Sequence, residues 1–213
     1  MEYKYKTVFW DWNGTLFDDV HASLRAVNVM LEKRGLELLD LRRFRSAVDT
    51  PIIKFYREFF DVEKEGFTPL SREYHALYEE FALQAPLAEN TEKVLRELQK
   101  SGVRQIIASS SNTVQIEKLI RRFGIRDCFD AVLGADDYFA ADKLTRILNY
   151  IKENSIDPSS AVFVGDTPHD AETAKAAGST CILALWGSKN PEELEGMGKL
   201  CGNMEEVYKE IKK

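Results

Sequence analysis

Apolar positions along this chain follow two regimes that meet near Pro86. Before Pro86 there is one short apolar run, Thr7-Val8-Phe9-Trp10, which predicts a buried strand. Helical spacing follows, with Val20, Leu24, Val27 and Leu31 three or four apart over residues 19 to 34, closed by Gly35. Residues 36 to 85 offer no strong strand. Aromatic residues recur there at helical intervals, as Phe55, Tyr56, Phe59 and Phe60 and then Tyr74, Leu77, Tyr78 and Phe81. The block reads as several amphipathic helices packed on one another, with Pro51 and Pro69 where helices can begin.

From Pro86 onward the periodicity alternates. Helices are predicted over 92–100, 114–123, 143–153, 171–177 and 204–211. Glycines at 102, 124 and 178 close three of them. Strands are predicted over 103–108, 131–133, 161–164 and 181–185. Such alternation implies an α/β fold, a doubly wound parallel sheet with helices on both faces. The helical block after the first strand then reads as an inserted all-helical cap domain. Residues 1–17 and 86–213 form the expected core, and 18–85 the expected cap.

Composition narrows the function classes. The 213 residues are 44% hydrophobic and 30% charged, ordinary for a globular protein able to bury a full core. The net charge of −6 makes nucleic acid and anionic membrane surfaces poor partners. Three cysteines, Cys128, Cys181 and Cys201, match no metal-cluster spacing and read as reduced apolar filler. The N-terminus has no apolar signal core, and no run approaches a membrane span. A cytoplasmic location is the expectation.

Candidate chemistry collects where the predicted strands end. Asp11 follows the first strand, Ser109 the second, Lys143 the loop after the third, and Gly165-Asp166-Thr167-Pro168-His169-Asp170 the fourth. In a doubly wound sheet these strand ends can line one crevice. The set suits phosphoryl transfer. Asp11 is a candidate nucleophile, Asp166 and Asp170 are candidate ligands for Mg²⁺, and Ser109 and Lys143 offer a hydroxyl and a cation to phosphoryl oxygens. Alone, Lys143 reads as a solvent-facing lysine at a helix start, and Ser109 as part of a cap, for which Ser111 or Asn112 is better suited.

Together the four motifs resemble the haloacid dehalogenase superfamily, in the branch with a helical cap after the first strand. Leu185-Trp186-Gly187 resembles its phosphoglycolate phosphatase-like members. The resemblance implies a Mg²⁺-dependent phosphatase working through an aspartyl-phosphate on Asp11, with a small phosphorylated substrate. It implies catalytic roles for Asp11, Asn13, Ser109 and Lys143, and metal ligands from Asp11, Asp166, Asp170 and the backbone carbonyl of Asn13. Gly14, Thr15 and Ser110 complete the implied substrate contacts.

Two positions depart from the family pattern. Asn13 stands where phosphatases of the family carry the aspartate that protonates the leaving alcohol, a role typically worth ~10²–10⁴-fold. Leu144 replaces a proline after the lysine and alters only a turn. Asp18, His21 and His169 lie near enough in sequence to be weighed as substitute acids. Arg42, Arg43, Arg45, Lys54 and Arg57 in the cap read mainly as a solvated face. Two alternatives stay open. One is a catalytically weak phospho-ligand binder, motivated by Asn13. The other is a hydrolytic dehalogenase, opposed by the retained Asp166 and Asp170.

Overall fold

A computed structural model describes residues 3–48, 51–135 and 143–212. Met1 and Glu2 of the polar N-terminus lie outside them. Among the described residues, six parallel strands form one sheet: β1 Thr7–Trp10, β2 Arg104–Asn112, β3 Ala131–Ala135, β4 Ala161–Gly165, β5 Thr180–Ala184 and β6 Lys199–Cys201. Their spatial order is β3-β2-β1-β4-β5-β6. The chain builds outward from β1 through β2 to β3, then returns past β1 to add β4, β5 and β6. The order therefore reverses between β1 and β4. A crevice opens there at the carboxyl ends of the strands.

The central strand shows why the first apolar run is uninterrupted. Phe9 faces one layer, stacked on Phe163 with ring centroids 4.7 Å apart. Val8 and Trp10 face the other, with Ile107, Val162 and Val164. A strand covered on both faces has no polar side to alternate with. The covering helices are α6 Thr91–Lys100, α7 Thr113–Arg122, α8 Lys143–Glu153, α9 Pro168–Ala176 and α10 Met204–Lys212.

Among the described residues five helices lie between β1 and α6: α1 Val20–Glu32, α2 Leu41–Ala47, α3 Ile53–Phe59, α4 Val62–Glu65 and α5 Phe67–Ala82. They bury a cluster of their own, built on Val27, Met30, Phe44, Phe55, Tyr56 and Leu70. The two connections to the sheet run side by side. Phe17 pairs antiparallel with Leu87. The Asp18 amide donates to the Pro86 carbonyl at 3.0 Å, and that of Ala88 to Leu16 at 2.9 Å.

Several boundaries differ from the sequence expectation. Strand β2 runs on through Ser109 to Asn112, with a register irregularity against β3 after Ala108. Asn112 caps α7, accepting from the amides of Val114 and Gln115. Helix α9 begins three residues early, because Thr167 and Asp170 form a reciprocal capping box. Helix α5 starts before Pro69, which sits in its first turn, where no amide donor is required. Strand β6 was not anticipated; its three residues, Lys-Leu-Cys, are too short to carry a period. The three cysteines are free and buried. No helix among the described residues is long and apolar enough to cross a membrane.

Candidate active site

Asp11 is the first residue beyond β1. Its amide donates to the Val164 carbonyl at 2.8 Å, extending the pairing of β1 with β4 by one step. Asp166 is the first residue beyond β4, and Asp170 lies at the third position of α9. Carboxylate oxygens of Asp11, Asp166 and Asp170 fall within 4.8 Å of one another. Lys143, the first residue of α8, reaches in from the side. Its Nζ donates to Asp11 Oδ1 at 2.7 Å and to Asp170 Oδ1 at 2.6 Å. Its side chain is only 5% exposed, against 13% for Asp11. The sequence alone allows a solvent-facing Lys143; the structure shows a buried ion-paired one.

Each acid is held separately. Asp170 Oδ2 accepts from the Thr167 hydroxyl at 2.7 Å and from the amides of Asp166 and Thr167. Asp166 accepts from the Ser188 amide at 2.6 Å and from the Thr15 hydroxyl at 3.2 Å. Thr15, expected among the substrate contacts, is thus fully buried and directed at Asp166. Trp186 donates its indole N–H to the Thr15 carbonyl at 3.0 Å, tying the Leu185-Trp186-Gly187 stretch to the turn after β1.

Glycines make room for this packing. Gly14 turns with a φ of +70°, and a Cβ there would lie 2.3 Å from Asp166 Oδ2. A Cβ on Gly187 would lie 2.2 Å from the Asp166 Cβ. Gly187→Ala is therefore expected to displace Asp166 and to weaken Mg²⁺ binding about 10-fold or more, the range seen when groups that orient metal ligands are removed. Calorimetric titration with Mg²⁺ checks this, and an unchanged affinity would mean that Asp166 is not a ligand.

The electrostatics suit a cation. Burial pushes the Asp11 carboxyl well up, with Lys143 opposing and the other two acids adding. Burial and the neighbouring Asp170 push Asp166 up to about 7. For Asp170, burial acts upward, but Lys143 and Thr167 outweigh it and hold the carboxyl low. Burial likewise opposes the Lys143 ammonium, and Asp11 and Asp170 together overcome it and raise its pKa. Three carboxylates thus crowd together, and one ammonium pairs with two of them, Asp11 and Asp170. All the donors are oxygens, which suits a hard divalent cation.

Asn13 is turned into a different network. Its Nδ2 donates to Asp19 Oδ2 at 2.7 Å and contacts the Tyr78 hydroxyl at 2.8 Å, while Oδ1 accepts from the Ser111 hydroxyl. Tyr78 also donates to Asp19. Asp19 occupies the N-cap position of α1 yet caps nothing. Its carboxylate takes the Gly14 amide at 2.8 Å instead, so Gly14 too is engaged within the protein. Burial raises the Asp19 carboxyl despite these donors.

The other expected residues stand as follows. Ser109 is buried within β2, two residues past Ile107, the partner of Trp10, and its hydroxyl accepts from the Ser111 amide at 3.1 Å. Among the described residues no hydrogen bond joins it to Asp11 or Lys143. Ser110 is exposed. Of the residues weighed as substitute acids, His21 is exposed and His169 stands 3.8 Å from Glu172. Arg42 pairs with Glu192, Arg43 with Glu58, and Arg45 donates to the Trp186 carbonyl.

Nothing in the sequence marks Tyr78, Ser111, Ser188 or Asp19 as part of this network. Tyr78 was legible as a helical core aromatic, and nothing in its spacing marks it as a partner of residue 13.

Comparison with known proteins gives a consistent picture. A family model described as a haloacid dehalogenase-like hydrolase matches residues 5–178. The protein named probable phosphatase IndB of Dickeya dadantii is 29% identical over 195 residues, covering 88% of this chain and 84% of its own. A phosphoglycolate phosphatase of Neisseria gonorrhoeae is 24% identical over 222 residues, covering 97% and 93%. A solved haloacid dehalogenase-like hydrolase from Streptococcus pneumoniae shares the fold with a TM-score of 0.82 at 20% identity, covering 96% of this chain and 97% of its own.

Proposed function

Because this chain belongs to the haloacid dehalogenase-like hydrolase family, we propose that it is a Mg²⁺-dependent phosphatase that cleaves a small phosphorylated metabolite by passing the phosphoryl group through Asp11. The observation that carries the reading is the meeting of Asp11, Lys143, Asp166 and Asp170 in one buried cluster at the strand-order reversal. In this mechanism Asp11 Oδ attacks phosphorus and the bond to the leaving oxygen breaks. Water then cleaves the acyl phosphate, freeing phosphate and restoring the carboxylate. Lys143 keeps Asp11 in register and supplies fixed positive charge beside the phosphoryl oxygens. Ser109 offers its hydroxyl from the neighbouring strand end. Asp11, Asp166, Asp170 and the Asn13 carbonyl would hold Mg²⁺, which when bound neutralises charge on the phosphoryl group.

Residues 18–85 act as a cap over residues 1–17 and 86–213. Support comes from the paired connections at Phe17 and Leu87 and from bonds that bridge the two parts. Arg45 donates to the Trp186 carbonyl at 3.0 Å, and Asn190 to the Ser46 hydroxyl at 2.9 Å. Loosening those bonds gives substrate entry, and remaking them excludes water.

Assay of phosphorylated metabolites with and without Mg²⁺ tests the reading. Full turnover in excess chelator would overturn the metal requirement. A linked effect on stability follows from Asp166. Its folded carboxyl titrates near 7, whereas an unfolded aspartate titrates near about 4. Between these values the folded state holds more protons than the unfolded one, so stability falls as pH rises. Asp11 acts in the same direction, while Asp170 titrates below the window. A cation competes with that proton. The rise in Tm produced by Mg²⁺ is therefore expected to be larger near about pH 8 than near about pH 5. Equal shifts would place the cation away from these acids.

One observation favours a second reading, a phospho-ligand binder with slow turnover. Asn13 cannot protonate a leaving alkoxide. Acetyl phosphate, whose leaving group needs no proton, separates the two. Brisk hydrolysis supports the phosphatase, and tight binding without hydrolysis supports the binder.

A further inference from the structure

A cavity of about 240 Å³ lies between the helical block and the strand ends. Its core end is polar, formed by Asn13, Asp19, Ser111 and Ser188. Ser188 is the residue whose amide holds Asp166, and Asn13 stands two positions beyond Asp11. Its far wall is apolar, with Val27, Phe44, Val48, Phe55, Tyr56 and Tyr74. Tyr74 also stacks on Tyr78, with ring centroids 5.7 Å apart, and both rings line the chamber. From this geometry we propose that the cavity receives the leaving group of the substrate, and that this group is uncharged, largely apolar and about the size of one ring, as in an aryl phosphate. The proposal rests on the phosphatase reading and names its substrate class.

Charge is the first argument. Among the described lining residues there is no lysine or arginine. Besides the tyrosines, the ionisable groups among the described lining residues are Asp19 and His75. Burial holds the His75 imidazole below its ordinary pKa, with Glu79 opposing, so it is neutral at physiological pH. Asp19 presents negative charge. None of the α2 arginines lines the cavity: Arg42 pairs with Glu192, Arg43 with Glu58, and Arg45 reaches the Trp186 carbonyl through one terminal nitrogen. A leaving group with its own carboxylate, such as that of phosphoglycolate, would be desolvated against a like charge with no cation to meet it.

Size is the second argument. An apolar cavity of about 150 Å³ is enough for benzene. This one exceeds that. The chemistry of Asn13 points the same way whatever the shape of the cavity it lines. A phenolate-type leaving group needs far less protonation than an alkoxide, so the residue at position 13 and the aromatic wall select the same class of ester.

The test compares 4-methylphenyl phosphate with 4-carboxyphenyl phosphate. Their leaving phenols are alike in shape and differ in charge; the carboxylate-bearing phenol is the more acidic and the better leaving group, so acidity alone works against the preference expected here. With Mg²⁺, kcat/KM is expected to favour the methyl compound about 10-fold or more. Val48→Arg, which adds a cation at the half-buried rim, is expected to narrow that ratio several-fold. Binding of the matched benzylphosphonates, measured by calorimetry, reads the same preference without turnover. Equal or reversed preference in both measurements overturns the proposal. Acetyl phosphate distinguishes the failures. Its hydrolysis without discrimination between the aryl pair leaves the phosphatase reading standing and removes the apolar pocket. No hydrolysis of any ester, with discrimination between the phosphonates, removes the phosphatase reading and keeps the pocket.

Discussion

Asp11→Asn is expected to lower kcat by on the order of 10⁴-fold or more on any substrate the parent hydrolyses, because an amide oxygen cannot form the acyl phosphate. The fold should not suffer. The amide oxygen still accepts from Lys143, whose Nζ lies 2.7 Å from Asp11 Oδ1. The change also takes one negative charge out of a cluster of three carboxylates in which one ammonium pairs with two. The wild-type carboxyl is held well above its ordinary pKa, chiefly by burial, so its ionised form opposes folding at neutral pH. The Tm of the variant at neutral pH should therefore equal or exceed that of the parent. Kinetics and thermal melts on the same preparation check both halves. Retained turnover would place the nucleophile elsewhere. Loss of turnover accompanied by a large fall in Tm would make Asp11 structural.

Asn13→Asp is expected to raise hydrolysis of alkyl phosphates by about 10-fold or more while changing aryl phosphates much less, since only the alkoxide needs a proton to leave. The surrounding network sharpens the expectation. Asn13 Nδ2 now meets the Asp19 carboxylate at 2.7 Å and the Tyr78 hydroxyl at 2.8 Å. A carboxylate in its place would face Asp19 at that range, and two carboxylates so close cannot both ionise. The variant should retain a shared proton at neutral pH, as a general acid requires, at some cost in Tm from the lost amide donor. Combining it with Asp19→Asn restores one donor facing one acceptor and should recover that stability. Equal gains on alkyl and aryl esters would mean that the change acts through metal binding or packing. No gain on either would mean that protonation does not limit turnover.

The parallel sheet was legible because its strands are buried on both faces and read as unbroken apolar runs. Thr7–Trp10 and Ala161–Gly165 are the clearest. The helical block was legible through its aromatic periodicity, and helix ends through glycines such as Gly102, which turns with a φ of +75°. Less was legible where tertiary contact overrides local pattern. β6 exists because β5 offers an edge to pair with. Ser109 to Asn112 continue a strand although their polar composition reads as a cap.

By itself the sequence determined which chemistry is available. It put carboxylates directly after the apolar runs that become β1 and β4, and a lysine at the start of α8. Strand ends are rigid and face one crevice whatever the remaining contacts are. Only the tertiary structure decided how those groups are used. Lys143 became an internal partner of Asp11 and Asp170, and Asp19 became a partner of Asn13 instead of a helix cap. Tyr78, which lies 65 residues from Asn13 in sequence, became a link between the helical block and the turn after β1. Periodicity shows which face of a helix is buried; what that face meets depends on how the helical block docks on the sheet, and no local pattern encodes that.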